Sequence, residues 1–347
     1  MTTGTTDEAL GRLLTAGRAR AAAIDPEHAR LWDALCEATE GGKRFRPVLV
    51  VATHDALGGS APAAAVEVGA AVELLHTALV IHDDVIDGDH RRRGRLNVSG
   101  TFRARATAGG ANSDDAHDYG LTAAILAGDL ALAAAVRSVA TCGAPTDVVH
   151  RLLDLLDAAL HVTASGELAD VRLSHDLAST SLAASLAMEE QKTSAYSFAL
   201  PLQAGAVLAG ADDATTARLG DAGRMMGIAF QLVDDLIGVF GDPRRSGKSS
   251  TSDLRTRKQT PLLVHAQTTA EWERIGSYIG RDLDDAELAE ARQLLTASGS
   301  RRFVEALVEE HLASARSVVD ELGIPVELLV DLTTRSSALV DAREVAA

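Results

Sequence analysis

Residues 73–94 read ELLHTALVIHDDVIDGDHRRRG, and the order of their chemistry decides the fold. An apolar run that begins near Val66 closes on Asp83, Asp84, Asp87 and Asp89, and Arg91, Arg92 and Arg93 follow at once. The apolar spacing is helical rather than alternating, which predicts a helix over Ala63–Ile86. On a helix, positions four apart differ by about 40° in direction, so Asp83 and Asp87 project from one face, one turn apart. Two carboxylates so placed repel unless a cation lies between them. Magnesium suits the place, because it takes oxygen ligands and shares itself between one or two carboxylates, waters and substrate phosphates. The competing reading is a solvated acidic helix end neutralised by the arginines that follow. Against it, a helix apolar enough to be buried needs a reason to stop in four aspartates.

The theme returns at residues 230–258, FQLVDDLIGVFGDPRRSGKSSTSDLRTRK. Here a second apolar helix is expected to end in Asp234 and Asp235 and to run into a basic loop holding Lys248 and Lys258. Two such acidic ends facing each other across a cleft would hold several divalent ions around one diphosphate. Helical periodicity also marks Leu31–Leu57, Leu121–Ala140, Val148–Ala169, Ser181–Ala209, Ala214–Phe240, Thr260–Ile275, Ala286–Ser298, Arg302–Leu322 and Pro325–Val345. The prediction is an all-α bundle of about ten helices forming one domain over residues 1–347, with residues 1–7 disordered. Breaks are expected at Gly58–Pro62, Thr107–Asp118, Gly143–Pro145 and Gly241–Thr260.

Composition agrees. The 347 residues are 46% hydrophobic but only 3% aromatic, and Ala and Leu dominate, which favours helices over sheet. A formal charge of −16 argues against a nucleic-acid partner. Cys36 and Cys142 are too few for a disulfide framework or a zinc site, and they suit a reducing cytoplasm. No signal peptide is visible, and no uninterrupted apolar stretch reaches the roughly 18–20 residues of a membrane span. Lysine is scarce: Lys43, Lys192, Lys248 and Lys258 stand alone among 33 basic residues. Codon bias in a GC-rich genome accounts for the scarcity but not for where the four sit. Each lies in a segment marked by other chemistry, where a compact ammonium serves phosphate oxygens as a point charge.

These features carry a resemblance. The chain resembles the trans-isoprenyl diphosphate synthases, or polyprenyl synthetases, and most of all bacterial geranylgeranyl diphosphate synthases. The likeness runs from Glu40 to Pro261. It rests on the two aspartate motifs, GGKRFRP at Gly41–Pro47, ELLHTALVIHDD at Glu73–Asp84, RRG at Arg92–Gly94, the Gly128-Asp129 pair, and Lys192-Thr193.

The resemblance implies an isoprenoid-synthase bundle around a prenyl-binding cavity. It implies about three magnesium ions, replaceable by manganese, held by Asp83, Asp87 and Asp234 with Asp84 and Asp235 beside them. Lys43, Arg46, His76 and Arg93 would hold the diphosphate of isopentenyl diphosphate. Arg92, Lys192, Gln231, Lys248 and Lys258 would hold the allylic diphosphate (dimethylallyl, geranyl or farnesyl), with Thr193 and Gln231 near the reacting carbons. The implied protein is a cytoplasmic homodimer that makes all-trans polyprenyl diphosphates. Relatives that stop early carry an aromatic ring four or five residues before the first Asp. Here Leu79 and Ala78 stand there, so geranylgeranyl diphosphate is expected rather than the farnesyl product, with longer chains as the other alternative.

The pattern has departures. Gly238 stands where a third Asp is common, Glu167 where Gln is common, and Ser99 where His is expected. One rival is a metal-dependent phosphohydrolase built on His82-Asp83 with His54 or His76, but it leaves Asp234-Asp235 and the lysines unexplained. A class I terpene cyclase would not need the basic Lys43–Arg46 segment. A non-catalytic regulatory subunit would be expected to lack these charged residues.

Overall fold

Among the described residues, eight helices start at a residue whose side chain accepts a hydrogen bond from backbone N–H groups of the first turn. Thr5, Asp25, Asn97, Asn112, Ser181, Asp212, Thr260 and Asp284 all do so. The computed structural model describes residues 5–42, 44–175, 180–241 and 252–324. Lys43, Lys248 and the helix expected over Pro325–Val345 lie outside the described residues.

In chain order the elements are α1 (Thr6–Ala22), α2 (Pro26–Thr39), α3 (Phe45–Ala56), α4 (Pro62–Ile86) and the two-residue strands β1 (Arg91–Arg92) and β2 (Arg95–Leu96). There follow α5 (Val98–Ala108), α6 (Ser113–Ala140), α7 (Thr146–His175), α8 (Leu182–Glu189), a π-helix (Glu190–Ala199) and α9 (Leu200–Leu208). The series closes with α10 (Asp213–Phe240), α11 (Ser252–Arg255), α12 (Pro261–Ala266), α13 (Trp272–Gly276), α14 (Asp285–Ala297) and α15 (Ser300–Glu321). The fold is all-α, as expected.

The chain divides into two compact units. One holds everything up to Leu156 together with Ala204–Ala211; the other holds Asp157–Gln203 and the chain from Asp212 onward. In the first unit, α4 is the central helix. Leu74, Leu75, Ala70 and Ala78 on it are fully buried, as is Val50 on α3. In the second unit, Leu232 and Leu236 of α10 pack with Leu254, Leu262, Leu263, Ile275, Leu295 and Val304.

Several boundaries differ from expectation. Residues 5–7 are ordered, because Thr5 and Glu8 form a reciprocal capping box that starts α1. The helix expected over Leu31–Leu57 is two helices. Gly41 (φ 75°), Gly42 (φ 93°) and Arg44 (φ 51°) take left-handed backbone there, which no helix can contain. Helix α5 was not anticipated, and the expected break at Thr107–Asp118 shrinks to the few residues before Asn112 caps α6. Helix α10 ends at Phe240, where its apolar periodicity ends, so Asp234 and Asp235 lie inside the helix rather than at its terminus. Two helices, α4 and α6, are long and apolar enough by composition to cross a membrane. The most apolar window of α4 is 78% buried in protein, whereas that of α6 is 39% buried and leaves Ile125 and Leu126 exposed.

Close approach of two elements positions the second unit's chemistry. A Cβ at Gly223 would lie 2.5 Å from the Cα of Ala199, and one at Gly227 would lie 2.4 Å from the Cβ of Ser194. Bare backbone, one helical turn apart, therefore lets α10 lie directly on the π-helix. Replacing Gly227 with Val would force the two apart. Thermal or urea unfolding should show a loss of about 1–3 kcal/mol, and unchanged stability would contradict this packing.

Candidate active site

In the first unit, Asp83 and Asp84 sit in the last turn of α4, and Asp87 caps it. The Asp87 N–H donates to the Asp83 carbonyl at 2.9 Å, so the two lie one turn apart as the sequence implied. Asp87 is exposed and Asp84 is buried. Arg92 forks onto the cluster, donating from Nη2 to Asp83 Oδ2 at 2.9 Å and from Nε to Asp84 Oδ1 at 2.7 Å. Burial nevertheless raises the Asp84 carboxyl, with Arg92 opposing the shift. The reading in which arginine neutralises the acidic helix end thus has a real contact behind it.

The strands β1 and β2 pair antiparallel, Arg92 opposite Arg95, and the turn between them places Arg93 (φ 53°) and Gly94 (φ 76°) in left-handed backbone. Hairpins favour such turns for their twist, but a non-glycine residue there is uncommon. The turn directs Arg93 to donate to the Glu40 carbonyl at 3.0 Å. Cβ positions built on Gly41 and Gly42 would fall 3.1 and 3.3 Å from its guanidinium nitrogens. His76, Arg92, Arg93, Asp84, Glu40 and Gly41 line one cavity. Burial, followed by the charges of Arg46, Arg92, Arg93 and Arg44, pushes His76 well below the ordinary imidazole range, so it is neutral. Arg46 is buried with its guanidinium over the Phe45 ring at 4.4 Å. Ala78 is fully buried on α4 and Leu79 is half-buried.

In the second unit, Lys192 and Thr193 lie in the π-helix, whose i→i+5 register departs from that of the α-helices flanking it. A Cβ at Gly166 would lie 2.2 Å from the Lys192 backbone nitrogen, so α7 touches the π-helix there. That contact brings two carboxylates onto Lys192: Nζ donates to Glu167 Oε1 at 3.1 Å and to Asp170 Oδ2 at 2.6 Å. Thr193 Oγ1 donates to Gln231 Oε1 at 3.1 Å, and Gln231 Nε2 donates to Asp235 Oδ1 at 3.1 Å. The other oxygen of Asp235 is buried and has no hydrogen-bond partner among the described residues; the same holds for both oxygens of Glu189.

Burial drives the Asp235 carboxyl up to about 6, against the pull of Lys258. Glu189 rises well above its ordinary range, from burial first and then from the charge of Asp235. Two neighbouring buried carboxyls of this kind hold a proton between them where a lone one would ionise. Lys258 is raised because Asp235, Asp253, Asp170 and Asp234 surround it and outweigh its own burial.

The sequence therefore named Asp83, Asp84, Asp87, Arg92 and Arg93 in one unit, and Lys192, Thr193, Gln231, Asp234, Asp235 and Lys258 in the other; contacts within each unit group them as described. It missed Glu189, Asp170 and Asp253 as members of the second group, and gave Glu167 only as a departure. Glu189 carried a signal, being a charged residue on the apolar face of a helix. The phosphohydrolase reading loses its ligands. His54 is bonded to Asp55 and to the Ala61 N–H, while His82 turns to Asp129, 3.4 Å away. Among the described residues, no three His, Cys, Asp or Glu side chains converge to hold an ion unaided.

The polyprenyl synthetase family pattern matches residues 28–295. The geranylfarnesyl diphosphate synthase of Aeropyrum pernix is 33% identical over 81% of this chain and 84% of its own length. The (2E,6E)-farnesyl diphosphate synthase of Mycobacterium tuberculosis is 31% identical over 86% of this chain and 79% of its own. A geranylgeranyl pyrophosphate synthase from Corynebacterium glutamicum, solved with isoprenyl diphosphate and magnesium, superposes with a TM-score of 0.86 at 28% identity, covering 97% of this chain and 98% of that one.

The raised Glu189 sets a direction for stability against pH. The folded state keeps this proton at pH values where the unfolded chain has lost it, so the group favours folding in acid. That contribution fades as pH rises through the folded value. Glu189→Gln should therefore melt higher than the unsubstituted protein at about pH 8 in metal-free buffer, by roughly 2–4 °C, and equally at about pH 4. Calorimetry at the two pH values checks this, and a destabilised variant at pH 8 would overturn it.

Proposed function

The chain belongs to the polyprenyl synthetase family, and from that premise we propose that it is a magnesium-dependent prenyltransferase. In this reading it joins isopentenyl diphosphate to an allylic diphosphate and releases geranylgeranyl diphosphate, acting as one catalytic domain. The observation that carries the reading is the pairing of carboxylates with cationic side chains in each unit: Asp83 and Asp84 beside Arg92, and Asp234 and Asp235 beside Lys258.

The residues present suit a divalent cation. Among the described residues, one buried oxygen of Asp235 has no hydrogen-bond donor, and Asp234 and Asp253 act on it as well as Lys258. Water and substrate phosphate would complete the coordination of such an ion. Asp83, Asp87 and Asp234 would hold the ions, with Asp84 and Asp235 adjacent. Bound magnesium supplies positive charge against the negative charge that grows on the departing diphosphate.

The chain's own groups do the rest. Lys192, Lys258 and Arg92 bind the allylic diphosphate, and Arg46, Arg93 and neutral His76 bind that of isopentenyl diphosphate, where His76 can donate a hydrogen bond without adding charge. Thr193 and Gln231, bonded to each other, fix one orientation beside the reacting carbons. The allylic carbon–oxygen bond breaks, the isopentenyl double bond attacks the resulting cation, and a proton passes to the released diphosphate. No side chain acts as a nucleophile. The relatives' names range from farnesyl to geranylfarnesyl products, so chain length must come from residues of this chain; Ala78 and Leu79 offer no aromatic floor. The apolar, incompletely buried face of α6 at Ile125 and Leu126 supports a homodimer in which a second copy covers it.

Two experiments test the reading. Asp83→Asn and Asp234→Asn should each cut condensation of isopentenyl and farnesyl diphosphates at least ~100-fold, measured as radiolabelled prenyl product; full rate in either would refute it. Ala78→Phe should shorten the product to farnesyl diphosphate, and unchanged product size by chromatography would remove Ala78 from the account.

A further inference from the structure

On α10, Gln231, Asp234, Asp235 and position 238 form one stripe, since they lie three, four and seven residues apart. Position 238 is a glycine inside a long helix, where it costs about 1 kcal/mol relative to alanine. The space it leaves is occupied. A Cβ built on Gly238 would lie 2.2 Å from Asp253 Oδ2 and 3.1 Å from its Cγ. The Asp253 carboxylate, arriving from α11, thus stands where a side chain at 238 would grow, on the face that carries Asp234 one turn earlier.

Two further observations tie Asp253 to this cluster. Its carbonyl accepts from the Lys258 backbone N–H at 3.1 Å, so α11 and the lysine are anchored to each other. Its charge also acts on both Asp235 and Lys258. On the same stripe, Asp235 is 2% exposed and keeps one oxygen without a hydrogen-bond partner among the described residues. A buried carboxylate beside further carboxylates favours a cation in addition to Lys258.

We propose that Asp253 is the third carboxylate of the α10 cation site, delivered across the gap at Gly238 from a different helix rather than carried by α10 itself. This rests on the prenyltransferase reading for its purpose, but not for its measurement. The alternative role, a counter-ion that merely steadies Lys258, gives a different result in the same experiment.

The test uses the full chain and Mn²⁺ as the probe, with its binding followed by electron paramagnetic resonance in the presence of inorganic diphosphate. Asp253→Asn removes the charge at constant shape. Gly238→Ala keeps the charge but pushes the carboxylate aside, and as a helix-favouring change it leaves the fold intact. Each should weaken Mn²⁺ binding roughly 10-fold without lowering the metal-free melting temperature. The double variant Gly238→Asp/Asp253→Ala, which clears the space and returns the carboxylate to α10, should recover most of the affinity. Affinities within about twofold of the unsubstituted protein in either single variant would overturn the proposal, as would absence of Mn²⁺ binding to the unsubstituted protein. If the unsubstituted protein binds Mn²⁺ but makes no prenyl product, the proposed reaction fails, and the comparison among variants still decides the role of Asp253.

Discussion

Asp235 lies buried on α10 with one oxygen bonded to Gln231 and the other without a hydrogen-bond donor among the described residues. A carboxylate so placed destabilises the fold by several kcal/mol unless it keeps a proton or meets a cation. Much of the second unit can be read as the surroundings that make this tolerable. Glu189 shares its proton, Lys258 brings opposite charge, and Asp170 and Glu167 fasten Lys192 at hydrogen-bond distance. The glycines at 166, 223 and 227 follow from the same need, because only bare backbone lets α7, the π-helix and α10 come near enough for these side chains to meet.

The first unit solves a milder version of the problem. Its carboxylates stand at a helix terminus, where Asp87 is exposed and water can do part of the work. A single guanidinium spans Asp83 and Asp84. What is unusual lies in the connection. A tight two-strand ribbon sets Arg92 and Arg93 side by side yet sends them to different partners, one to the aspartates of α4 and the other to the Glu40 carbonyl beside two glycines. Unfavourable backbone at Arg93 is the local cost of that division.

What the sequence disclosed and what it hid divide along physical lines. Periodicity located the long helices, because α4 and α10 bury apolar residues at every turn. The spacing of Asp83 and Asp87 could be converted to geometry by helix arithmetic alone. The scarcity of lysine pointed to Lys192 and Lys258 before any contact was known. Hidden were the features that depend on three-dimensional proximity. Asp253 lies fifteen positions from Gly238, with a basic loop between, so nothing in their order tells that one fills the space of the other. Glu189 reads as a stray charge until Asp235 is seen beside it. The split between α2 and α3 was legible in Gly41-Gly42, but the apolar pattern on both sides suggested continuity. The capping box at Thr5 and Glu8 was legible as well, and polarity at the terminus obscured it.

The π-helix spanning Glu190–Ala199 makes the count of residues as consequential as their identity. With α-helices on either side, its looser winding absorbs chain that a regular helix would have no place for. Each residue added or removed in a helix turns everything beyond it by about 100°. A one-residue deletion in this decapeptide could keep every named side chain and still swing Lys192 away from α7 or Thr193 away from Gln231. Indels in this segment should accordingly be rarer than substitutions among related chains, a constraint on length that no scoring of individual amino acids would detect.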